Sequence, residues 1–139
     1  MRAPQKITLW GVLLLAAAGL LLSGCARAKH KPGEMFACVP DARLEKSIAP
    51  EAQLEEFSCQ FKKYEGFETL HFKVTIKNIS AKDQRYRVNI FLDNGKAAGG
   101  LIPTKGAVKP GASASFEYPI LQMETEPKAV TLNIRTTEQ

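Results

Sequence analysis

The chain is poor in the residues that most often carry chemistry. Its 139 residues include two histidines and three cysteines. No H-E-x-x-H, G-x-S-x-G, Walker loop or G-x-G-x-x-G occurs, so no zincin pair, nucleophile elbow or phosphate cradle is encoded. His30 and His71 show no finger-like spacing with the cysteines, and a metal site would need further ligands. A Cys–His nucleophile built from Cys38 or Cys59 with His71 would require a reduced thiol of lowered pKa. The paired acids Glu55-Glu56 and Glu124/Glu126 lie among lysines and read as solvated surface. These absences predict a non-enzymatic protein without metal or cofactor. Aromatic residues are also few, at 8%, and the single tryptophan, Trp10, lies near the N-terminus. That leaves little material for a sugar-stacking platform, which would need a concave pocket lined by Tyr64, Tyr86 or Tyr118.

Long apolar runs are missing as well. The longest, Leu9 to Leu22, has 14 residues. As a helix it rises about 21 Å, short of the roughly 30 Å hydrocarbon core of a bilayer. No acidic residue precedes Glu34, whereas Arg2 and Lys6 lie before the run. A basic start and a short apolar core describe an export signal better than a permanent span. The run ends in Leu22-Ser23-Gly24-Cys25, which resembles the lipobox of bacterial lipoproteins: an aliphatic residue, two small residues and cysteine. The resemblance implies a signal peptide over 1–24, a diacylglyceryl group on the Cys25 thiol, cleavage before Cys25 and acylation of the new N-terminus. The covalent acyl lipid is then the only non-protein group expected. Two or more acyl chains hold a protein stably on a bilayer, where one is marginal. Ala26 follows the cysteine; in lipoproteins of enteric-type bacteria Asp at this place retains the protein in the inner membrane. Ala26 therefore implies an outer-membrane location facing the periplasm.

Without the signal, 17 of the 19 basic residues remain against all 14 acidic ones, a net charge of +3. Arg27, Lys29 and Lys31 carry most of that excess in a polar stretch, 25–35, which reads as a flexible tether. The rest is nearly balanced, and a nucleic-acid partner, which needs a basic face with interleaved aromatics, is not expected. The remaining 36–139 has the length of one domain. Cys38 and Cys59 are an even pair in an oxidising compartment, and a disulfide between them is expected.

Residues 36–59 carry no clear period. Pro50, early glutamates, and Leu54 and Phe57 three apart predict a short helix over 50–57. Thereafter the period is two. Leu70, Phe72, Val74 and Ile76 alternate with polar residues, His71 among them, as do Tyr86, Val88, Ile90 and Leu92, then Val130, Leu132 and Ile134. Asn94-Gly95 is a hairpin signal, "ASASFEYPI" is a further strand, and 96–108 reads as the longest irregular connection, with Gly99-Gly100 a bulge or flexible loop. Strands joined by short polar turns predict antiparallel pairing, and apolar faces of two sheets must cover each other. The fold class expected is mainly β: a small antiparallel Ig-like β-sandwich preceded by signal, tether and short helical segment. Asn78-Ile79-Ser80, Asp93-Asn94-Gly95 and Pro110-Gly111 are similar to the turn pattern of YcfL-like lipoproteins and FxLYD-type exported domains, over roughly 68–136. The resemblance implies an exported Ig-like fold. Asn78-Ile79-Ser80 also matches a glycosylation sequon, but turn chemistry accounts for it.

Three features suggest a partner surface. Phe91 points opposite to the core set of its strand, beside Arg85, Arg87 and Asn89. It is either an apolar anchor rimmed by arginine or, as the commoner arrangement, packed beneath 36–59. Leu101 and Ile102 would be exposed if 96–108 is a mobile loop. An edge strand could also accept a partner's strand. The functional expectation is a membrane-anchored, non-catalytic accessory that binds an envelope protein, for instance in the assembly of an envelope complex or as a secretion pilotin. The alternative is binding of a small ligand, glycan or lipid.

Overall fold

A computed structural model describes residues 30–137. The signal, Cys25 and the first residues of the tether lie outside the described residues. The fold is a sandwich of a four-stranded and a three-stranded sheet. In chain order the strands are β1 (Leu44–Ile48), β2 (Ala52–Tyr64), β3 (Phe67–Asn78), β4 (Tyr86–Leu92), β5 (Ala97–Ile102), β6 (Ser113–Ile120) and β7 (Val130–Thr136). The sheets run β1-β7-β4-β5 and β2-β3-β6. A single 3-10 turn, Asp41–Arg43, precedes β1.

The alternating positions form the core as expected. Leu70, Phe72, Val74 and Ile76 of β3 face Tyr86, Val88 and Ile90 of β4 and Leu132 and Ile134 of β7, all essentially without exposure. β5 lies beside β6 and β1 beside β2, so the sheet edges approach each other on both sides of the core. The Tyr86 hydroxyl donates to the Glu51 carbonyl at 2.9 Å, tying β4 to the β1–β2 turn.

Three expectations are corrected. Residues 50–57 are not helical: β2 begins at Ala52, opposite Asn78. The register shifts between Leu54 and Glu56. This bulge changes the parity of the strand, so inward positions fall three apart at Leu54 and Phe57 and imitate a helical spacing. Pairing is not wholly antiparallel, because β1 runs parallel to β7 from Leu44–Val130 to Ile48–Ile134. The two strands are far apart in sequence, so no hairpin constrains their direction. Most of 96–102 is not a loop but strand β5, in unbroken register with β4 from Tyr86–Ile102 to Phe91–Ala97. Gly99 allows that close pairing, since a Cβ there would lie 2.1 Å from the Val88 carbonyl oxygen. Within the stretch read as tether, His30 touches the domain while 31–35 are exposed. Its ring stacks on Phe36 at 3.9 Å and its Nε2 lies 3.0 Å from Glu126, and the Gly33 amide donates to the Phe61 carbonyl at 2.7 Å.

The Cys38–Cys59 disulfide is present. Beside it Phe36 and Cys59 exchange backbone hydrogen bonds of 2.9 and 2.8 Å, so the N-terminal segment is fastened along β2.

Candidate functional site: the outer face of the four-stranded sheet

The two outer faces differ in how they treat their polar side chains. On the three-stranded sheet they are paired with one another across strands. Lys73 Nζ lies 2.9 Å from Glu56 Oε2, Ser58 donates to Glu56 Oε1 at 2.9 Å, and Thr75 and Ser115 share a 2.7 Å hydrogen bond. Gln60 donates to Glu117 at 3.1 Å, and Lys62 pairs with the same carboxylate. The lysine beside Glu56, together with the Ser58 hydroxyl, holds its carboxyl below the ordinary range.

On the four-stranded sheet such pairs are fewer: Thr131 donates to Glu45 Oε2 at 3.5 Å, and among the described residues no ion pair forms on this face. Residues paired directly across an antiparallel ladder share a face. Arg87 lies between Arg135 and Leu101, Asn89 between Asn133 and Gly99, and Phe91 between Thr131 and Ala97. Parallel β1 extends the last two rows with Ser47 and Glu45. The intervening Val88, Ile90, Leu132 and Ile134 point into the core, so this whole set points out. Phe91 is 49% exposed. Arg135 donates from Nε to Asn133 Oδ1 at 3.2 Å. Among the described residues neither arginine has a carboxylate within ion-pair distance. Like charges set directly opposite disfavour strand pairing. Phe91, Arg87 and Arg135 therefore present an apolar ring and two guanidinium groups on the outer surface beside the end strand β5.

Of the sequence-predicted partner residues, the fold brings Arg87, Phe91 and Leu101 together on this face. Phe91 is not packed beneath residues 36–59, because that segment follows β2 and then forms β1, two strands away. Ile102 is a correction: it occupies the inward parity of β5 and is fully buried opposite Tyr86. Arg85 is also withdrawn, its guanidinium donating to the carbonyls of Pro103 and, at its second nitrogen, Thr104. Thr131, Asn133 and Arg135 went unremarked in the sequence, although they are the polar half of the alternation that marks β7. No shared tyrosine pocket forms, since Tyr86 and Tyr118 are core residues and Tyr64 stands at the β2–β3 turn. His71 has outward parity yet is buried, covered by the Tyr64 ring, with Nδ1 2.9 Å from the Thr69 carbonyl.

A guanidinium pair and an aromatic ring can grip carboxylates and apolar side chains of another protein. They include no nucleophile with an adjacent base. Searches among protein families, curated proteins and solved structures returned no match to this chain.

Proposed function

We propose that this protein is a lipid-anchored, non-catalytic accessory of the bacterial envelope, carried on Cys25 at the periplasmic side of the outer membrane. Its role is to bind an envelope protein through the outer face of the four-stranded sheet. The observation that carries this reading is the contrast between the two outer faces. One pairs charges across its strands, whereas the other sets Arg87 and Arg135, without a carboxylate at ion-pair distance among the described residues, in register with Leu101 and beside Phe91. Aromatic and arginine side chains dominate the energetic centres of protein interfaces. The basic start, short apolar core and Leu22-Ser23-Gly24-Cys25 support the anchor.

Cross-linking in intact cells, followed by extraction, pull-down through a C-terminal tag and mass spectrometry, tests both halves. The peptide beginning at Cys25 should carry the acyl mass. Phe91→Ala and Arg87→Glu should each reduce capture of the dominant partner by at least ~10-fold, corresponding to about 1.4 kcal/mol or more. Thermal unfolding should stay unchanged. Capture unaffected by both substitutions would remove this face from the account, and an unlipidated Cys25 would remove the anchor.

A further inference from the structure

We infer that the end of the sandwich carrying the β2–β3 turn is seated on the bilayer, with Phe67 and Leu121 in the lipid head-group layer. The inference rests on the proposed anchor at Cys25. Its first support is the length of chain available. His30 is fixed to the domain by Phe36 and Glu126. Only five peptide steps separate it from Cys25, and these span at most about 17 Å. The 12-residue strand β3 is about 40 Å long at roughly 3.4 Å per residue. The leash is thus less than half the long dimension of the domain. It leaves from the half that carries the β2–β3 turn, since the Gly33 amide donates to Phe61 and the connection holding Glu126 follows Ile120, both opposite Leu70, so that half cannot stand far from the membrane.

The second support is what that end displays. Glu126, which holds His30, lies in the 121–129 connection, and Leu121, Gln122 and Glu124 of this connection wall a groove of about 370 Å³ with Tyr64 and Phe67. Glu65 and Gly66 both have positive φ, forming a two-residue turn that sets Tyr64 and Phe67 side by side at the tip. Phe67 is 70% exposed and Leu121 58%, the two most exposed large apolar side chains among the described residues. Tyr64 beside them is amphipathic, a residue type suited to the boundary between water and acyl chains. Around them stand the carboxylates of Glu65, Glu68 and Glu124, with Lys63 paired to Glu68 across the hairpin and the Lys96 ammonium donating to the Leu121 and Gln122 carbonyls. That mixture matches zwitterionic head groups: carboxylates meet the head-group ammonium and lysines meet the phosphate. We therefore assign the occupant as a phosphatidylethanolamine-rich lipid surface. In this pose the outer face of the four-stranded sheet stands upright from the membrane and is open to a partner from the side.

The test uses the chain made in cells, extracted and reconstituted in phosphatidylethanolamine-rich vesicles containing brominated lipids. Once the segment before Cys25 is removed the protein has no tryptophan, so a single introduced one reports its own depth. Phe67→Trp samples the turn. Ile79→Trp samples an exposed position at the opposite end of β3. The expected result is strong quenching and a blue-shifted emission for Phe67→Trp, with Ile79→Trp unaffected. Two unquenched reporters on a chain whose Cys25 peptide carries lipid would overturn the orientation while leaving the anchor standing. Equal quenching of both would overturn it in favour of a domain lying flat. A Cys25 peptide without acyl mass would overturn the anchor and this pose together.

Discussion

Asn78 closes β3 by making all its side-chain hydrogen bonds inside the protein. Its Nδ2 donates to the carbonyls of Lys82 and Val108 at 2.7 and 2.8 Å, while Oδ1 accepts from the amide and hydroxyl of Ser80 at 2.9 and 2.8 Å. The side chain is fully buried, so turn chemistry, and not a glycan, uses the Asn78-Ile79-Ser80 triplet. Asn78→Ala would remove the Nδ2 donor from the Lys82 and Val108 carbonyls, leaving them the Ser80 hydroxyl and the Gln84 amide alone, and loosen both loops at that end. It should cost about 2–4 kcal/mol, read as a lower denaturant midpoint in urea unfolding. An asparagine followed two residues later by serine announced a turn in the sequence. That it also clamps the 103–112 connection required Val108 to arrive from 30 residues away.

Strands β2 and β3 show how one element can be half legible. The inward residues of β3 alternate without interruption, and every one is buried. In β2 the bulge after Leu54 breaks the alternation, and Glu56, one of the glutamates that favour a helical start, instead faces Lys73 and Thr75 of the neighbouring strand. The partner strand supplies a ladder of hydrogen bonds that local propensity cannot match. The Glu56 carboxyl titrates below its ordinary value of 4.5, the Lys73 ammonium being the largest cause. A carboxyl held down in the folded state contributes stability above its unfolded pKa, and that contribution is lost as pH falls through the depressed value. Glu56→Gln should therefore lower the urea midpoint at neutral pH by a small amount, as expected for a solvent-screened pair. The gap between variant and parent should close in acid below the depressed range. A gap independent of pH would mean that the effect is one of packing.

For the molecule as a whole, the disulfide joins what the core alone does not. Cys38 and Cys59 are 21 residues apart, and a loop of that size constrains the unfolded chain by about 3 kcal/mol in the loop-entropy account. Replacing both cysteines by serine, with reduction of the parent as a parallel measurement, should lower stability by about 2–4 kcal/mol. Loss of the Phe36–Cys59 pairing should follow, visible as faster amide exchange at Phe36. Because His30 stacks on Phe36, the same variant should also reduce the lipid quenching of Phe67→Trp that the proposed membrane seating predicts.

Alternation, turn residues and cysteine count are carried by a few consecutive positions, and each was readable: two sheets, their inward residues, the hairpin after Leu92 and the disulfide. The neighbours of each strand are not a local property. Whether β1 runs parallel to β7, whether Ile102 turns into the core, and whether Phe91 is covered depend on pairings between residues tens of positions apart. The same holds for the contrast between the outer faces. Both sheets alternate polar with apolar residues, but a charge is neutralised or left bare only by what the adjoining strand places opposite it. Arg87 meets Arg135, while Glu56 meets Lys73, because long-range hydrogen bonding sets the register of every row at once.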